Sequence, residues 1–155
     1  MPAAIERDIL IACGPSSRPE AEPGSVATEN LNPKYTPQVF GPRPADAVGP
    51  NGEGWHLDID TTQLRWESYV KAGYYVNPFF RPFHLFQGIE CGSQGVLNHY
   101  FSESSVHGEH PPVPVDFLVT GSVPAGSGLS SSAAMVVAST LAFLAVNGKV
   151  GICDP

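Results

Sequence analysis

Apolar and polar positions along this chain follow two periods, near two for strands and near 3.6 for helices. Ile5 to Cys13 is predicted as a strand, with Ile9, Leu10 and Ile11 at its apolar centre. Gly14-Pro15-Ser16-Ser17 is expected to end it, because Gly and Pro interrupt a ladder and Ser favours a turn. Residues 14–54 are rich in Pro, Gly, Ala and Glu, with only short strand candidates around 25–28 and 35–40. Trp55 to Ile59 alternates (Trp55, Leu57 and Ile59 against His56 and Asp58), which suits a half-buried strand. Val113 to Thr120 predicts another, with Val115, Phe117 and Val119 on one face.

Between these strands the period lengthens. Asp60-Thr61-Thr62 offers N-cap residues for a helix from about Gln63 to Phe79. On it Trp66, Tyr69, Val70, Gly73 and Val76 share one face, and Asn77-Pro78 marks its end. Residues 81–114 are rich in Gly, Ser, His and Pro and show no period. So long an irregular loop is rare in a compact domain, and the stretch is read as an insertion. A second helix is predicted from Ser130 to about Val146, closed by Asn147-Gly148 as a left-handed cap. Strands and helices in this order give an α+β class, with no repeat and no heptad. At 155 residues the chain is one domain or part of one.

Composition narrows the partners. Apolar residues make up 42% and charged residues 15%, with 16 Gly and 16 Pro, which describes a packed but loop-rich chain. The net charge is -7 and the 8 Lys and Arg are scattered. Nucleic acid or an anionic membrane needs clustered positive charge, so neither is expected as a partner. A phosphate ligand remains compatible, because backbone N–H groups and a bound cation hold phosphate without basic side chains. Cys13, Cys91 and Cys153 are far apart and form no CxxC pair, which fits free thiols in a reducing compartment. No secretory segment follows Met1, and no apolar run reaches the roughly 18 residues that span a bilayer. A cytoplasmic protein is the expectation.

The candidate chemistry lies where the last strand meets the last helix. Gly126 and Gly128 allow the backbone to approach a ligand closely. Ser130, Ser131 and Ser132 fall at the start of the helix, where N–H groups lack intrahelical partners and the dipole is positive. A polyphosphate there gains several hydrogen bonds at once. A serine hydroxyl can also ligate Mg²⁺, a hard cation that takes oxygen. The plain alternative, a loop whose serines only cap a helix, suits a lone GxG.

Here the match is longer. Val123-Pro124-Ala125-Gly126-Ser127-Gly128-Leu129-Ser130-Ser131-Ser132-Ala133-Ala134 resembles the phosphate loop of the GHMP kinases at every position. It is not a P-loop, since no GxxxxGK[ST] and no nearby lysine occur. Within that family, Trp66-Glu67-Ser68-Tyr69-Val70-Lys71-Ala72-Gly73 resembles the galactokinase helix carrying a W-x-x-Y-x-x-G pattern. Pro2 to Leu10 resembles the galactokinase strand that follows the sugar-binding motif. Asn30-Leu31-Asn32-Pro33-Lys34-Tyr35 resembles a segment of fungal members that lies near the adenine.

The resemblance implies a GHMP kinase N-terminal domain, similar to the second domain of ribosomal protein S5, present here incompletely over 1–155 with an insertion at 81–114. It implies that Gly126, Ser127, Gly128, Leu129, Ser130, Ser131 and Ser132 bind ATP and that Ser132 ligates Mg²⁺. It implies ATP-dependent phosphorylation of galactose at its anomeric hydroxyl, a reaction of positioning and charge neutralisation. Galactokinases place a G-R-x-N-x-x-G-E-H-x-D-Y sugar motif upstream of such a first strand. Downstream of the loop they place an acidic Mg²⁺ ligand and an aspartate base. None of these falls within this chain, so no catalytic residue is assigned and the chain alone is expected to turn over little or nothing. Gly108-Glu109-His110 imitates the centre of the sugar motif, but no Arg-x-Asn precedes it, and it is read with His107 as loop surface. His56, His84 and His99 lack metal spacing, and Asp58 and Asp60 suit a turn and cap. The alternatives are another GHMP kinase, a non-catalytic galactose- and ATP-sensing regulator, and an inactive truncated product.

Overall fold

The computed structural model describes residues 6–42, 57, 65–74, 96–101, 110–123 and 131–150. Four strands form one mixed sheet: β1 (Ile9–Pro15), β2 (Val26–Asn30), β3 (Gln38–Phe40) and β4 (Val115–Gly121). The order across the sheet is β1-β4-β2-β3. β4 runs antiparallel to β1, with Ile11 opposite Val119, and parallel to β2, with Thr28 opposite Phe117. β3 closes antiparallel on β2, Ala27 facing Val39. Three helices follow the chain as α1 (Trp66–Tyr74), α2 (Val96–Phe101) and α3 (Ser131–Val146).

The alternation along β4 does what it predicts. Val115, Phe117 and Val119 are buried, and with Val26 of β2 they build the sheet side of the core. Phe143 and Ala142 of α3, Val70 of α1, and Leu97 and Phe101 of α2 cover them. Phe143 is fully buried and meets Phe101 edge-on, ring centroids 6.0 Å apart. Leu57, in the stretch expected as a strand, also enters this core; the rest of 55–59 lies outside the described residues. The opposite sheet face carries Leu10, Leu118 and Val39, all exposed.

Two expectations change, and a third is covered only in part by the described residues. β1 does not stop at Cys13 but continues through Gly14 and Pro15, which pair with Asp116 and Val115. β1 lies at one end of the strand order, where a proline needs no donor for a second neighbour. The described part of α1 runs from Trp66 to Tyr74, inside the predicted 63–79; residues 61–64 and 75–80 lie outside the described residues. Within 81–114, where no period is visible, Val96–Phe101 is helical. Six residues are too few to show a period, and their burial comes from tertiary contact: Leu97 is wholly enclosed.

The C-terminal cap of α3 follows the expectation. Gly148 has a φ of 65°, the left-handed region where a side chain is disfavoured. The Lys149 N–H donates to the Leu144 carbonyl at 2.9 Å and the Gly148 N–H to the Ala145 carbonyl at 3.1 Å. This is the paired bonding of a Schellman cap.

Candidate functional site

β4 and α3 hold the two ends of the Gly-rich segment. β4 ends at Gly121, and the Ser122 N–H donates to the Asp8 carbonyl at 3.0 Å. Arg7 Nη1 donates to the Ser122 carbonyl at 3.2 Å, so the strand's exit is tied on its β1 side. Val123 is the last described residue before α3 resumes the path at Ser131. Of the seven predicted phosphate-binding residues, Ser131 and Ser132 occupy the first turn of α3 and are half-buried. Gly126, Ser127, Gly128, Leu129 and Ser130 lie outside the described residues.

The first turn of α3 contains no acidic residue. First-turn N–H groups of a helix lack intrahelical acceptors as a rule, and no carboxylate of this turn opposes an anion there. Two hydroxyls therefore sit at the positive end of a 16-residue helix. Among the described residues no group of three His, Cys, Asp or Glu side chains could enclose a metal ion. Mg²⁺ does not require such a cage, because it keeps waters and is bound through one or two protein oxygens plus substrate phosphates. A single serine hydroxyl beside a polyphosphate meets that pattern.

α3 is anchored at its far end and middle. The Asn147 Oδ1 accepts from the Val113 N–H at 2.7 Å, while its Nδ2 donates to the Phe143 carbonyl at 2.9 Å. That side chain thus joins the end of α3 to the approach of β4. Midway, the Ser139 hydroxyl donates to the Val136 carbonyl at 3.1 Å and lies 3.4 Å from the Val70 carbonyl of α1. The Thr140 hydroxyl donates to the Gly73 carbonyl of α1, with the Val136 carbonyl 2.9 Å away as the alternative acceptor. Sequence reasoning missed Ser139, Thr140 and the outward bond of Asn147. The available signal was a Ser-Thr pair inside a helix otherwise apolar beyond its serine start.

A second cluster joins segments singled out separately. Tyr35 meets Trp66 at the start of α1, ring centroids 5.9 Å apart. Two side-chain turns shape the chain before Tyr35: Asn30 Oδ1 accepts from the Asn32 N–H at 2.9 Å, and Asn32 Oδ1 from the Lys34 N–H at 3.0 Å. Lys71 sits 5.1 Å over the Phe40 ring. Among the described residues the buried Trp66 Nε1–H has no acceptor. The helix pattern is offset at its end: the third pattern position is Ala72, and the glycine follows at Gly73, which is buried against α3. His110, part of the imitation sugar motif, is exposed.

Residues 93–151, which span α2, β4 and α3, match the profile of the GHMP kinases N terminal domain. The chain is 28% identical over 148 residues to a galactokinase of Candida albicans, covering 96% of this chain and 22% of that protein. It is 28% identical to a galactokinase of Schizosaccharomyces pombe, with 96% and 23% covered. A galactokinase of Dictyostelium discoideum is 29% identical over 150 residues, with 97% and 23% covered. The chain therefore spans less than a quarter of the length of these relatives. Among the described residues no helix is long and apolar enough to cross a membrane. Residues 93–151 of this α+β unit thus resemble a GHMP kinase N-terminal domain, in a chain similar to galactokinases along nearly all of its own length.

Proposed function

We propose that this chain is the phosphate-holding part of a cytoplasmic galactokinase, in which ATP phosphorylates galactose at its anomeric hydroxyl. Residues 126–132 embrace the ATP phosphates, and the Ser132 hydroxyl is the Mg²⁺ ligand among them. One observation carries the reading: Ser131 and Ser132 stand on the first described turn of α3, with no acidic residue in that turn. The similarity to three galactokinases supports the choice of sugar kinase and of galactose.

On this reading the work of the chain is binding and orientation. Bound Mg²⁺ supplies neutralisation of charge on the phosphates. The N–H groups opening α3 hold phosphate oxygens in a fixed direction, at a helix end whose dipole already favours anions. The apolar body of α3, packed on the sheet and α1, keeps that end from moving as charge redistributes. No residue of this chain is assigned to hold the sugar or to take its proton. The isolated chain is expected to bind ATP·Mg²⁺ with little or no turnover, since removing a base and a sugar clamp costs orders of magnitude in rate.

The test is a phosphorylation panel on the longer enzyme containing this segment, offering galactose beside mevalonate and homoserine. Transfer to galactose alone, reduced at least about tenfold by Ser132→Ala, fits the loss of one charge-stabilising contact. Preference for another alcohol would replace galactokinase by a different member of the family.

A further inference from the structure

α3 has four polar residues, in two pairs eight positions apart: Ser131-Ser132 at its tip, and Ser139-Thr140 about 12 Å further along the helix. The inner pair is directed at α1. The Ser139 hydroxyl is fully buried and reaches the Val70 carbonyl, and the Thr140 hydroxyl bonds the Gly73 carbonyl. The two carbonyls lie at the middle and near the end of α1's described span. Gly73 makes the approach possible: a Cβ there would collide with the Ser139 hydroxyl and come within 2.7 Å of the Val136 carbonyl. The Val136 carbonyl, one turn from the tip, lies within reach of both hydroxyls as an alternative acceptor for their single protons.

We propose that Gly73, Ser139 and Thr140 are positioning residues for nucleotide binding: their junction fixes the tilt and depth of α3 against α1, and so the placement of Ser131 and Ser132. The inference rests on the phosphate-binding reading above. Interdigitated apolar packing limits how α3 can move on the sheet and α1, but it supplies no directed contact at the crossing. Directed hydrogen bonds and a glycine contact admit one setting. A tilt of about 5° at the junction moves the tip, about 12 Å away, by about 1 Å. Displacements of that size cost binding and catalytic sites heavily. α1 also carries Trp66 against Tyr35, so the same junction fixes α3 relative to that aromatic pair.

The experiment measures ATP·Mg²⁺ affinity by calorimetry, and Tm separately, on the 155-residue chain at a temperature where every variant is fully folded. Thr140→Val keeps the shape and removes the hydroxyl; Thr140→Ser restores it; Gly73→Ala intrudes on the contact. Val26→Ala, a fully buried β2 position away from the junction, is the control for stability alone. Thr140→Val is expected to weaken affinity about fivefold, within the range that residues without ligand contact exert on a coupled site. Thr140→Ser is expected to recover it, and Val26→Ala to lower Tm with affinity unchanged. An affinity for Thr140→Val equal to wild type overturns the proposal, as does an equal loss in Val26→Ala. A wild-type chain that binds no ATP·Mg²⁺ instead removes the phosphate-binding reading itself, and this inference with it. If Gly73→Ala does not fold, the Thr140 pair still decides.

Discussion

At its C-terminal end α3 is closed by a left-handed Gly148, by two capping hydrogen bonds and by Asn147, whose amide reaches back to Val113. At its N-terminal end Ser131 and Ser132 sit in a turn with no acidic residue. The same helix is thus secured at its C-terminal end, while its first described turn carries two hydroxyls and no acidic residue. The closed end satisfies carbonyls that would otherwise go unbonded, and on the proposed reading the first turn offers its donors to a ligand. On the proposed reading, the contrast teaches how such a site would be preorganised: the rigidity belongs to groups far from the ligand, and the proposed ligand-binding serines contribute little to the fold.

That contrast breaks most visibly from the core. Phe143→Ala removes the fully buried ring that meets Phe101 and is expected to cost about 4 kcal/mol in urea unfolding. Asn147→Ala leaves the Val113 N–H without its acceptor and is expected to cost about 1 to 2 kcal/mol by the same measurement. Gly148→Ala forces a side chain into a positive φ and is expected to cost about 1 kcal/mol. At the N-terminal end the effect on stability shrinks: Ser132→Ala is expected to stay within about 0.5 kcal/mol of wild type. A loss at Ser132 as large as at Asn147 would erase the distinction between the two ends.

Much of this was legible in the chain, for reasons that can be named. Val115, Phe117 and Val119 announce β4 because a strand buried on one face must alternate. Asn147-Gly148 announces the end of α3 because few residues tolerate a left-handed cap. Ser131 and Ser132 could be placed at a helix start from the apolar run that follows them. The end of β1 was not legible, because whether Gly14 and Pro15 can stay in the ladder depends on β1's place in the strand order. Nor was α2, whose one and a half turns are stabilised by contacts to α1 and α3 rather than by their own sequence. Ser139 and Thr140 bond residues 69 and 67 positions away, a pairing that no local pattern encodes.

The most direct measurement is a calorimetric titration of the chain with ATP·Mg²⁺, wild type beside Ser132→Ala, with circular dichroism on both. The account predicts that both chains are folded, that wild type binds, and that the variant binds at least about tenfold more weakly, as expected for losing a hydroxyl ligand to the metal–phosphate pair. Equal binding by the two chains, or a folded wild type that binds no nucleotide, would contradict it.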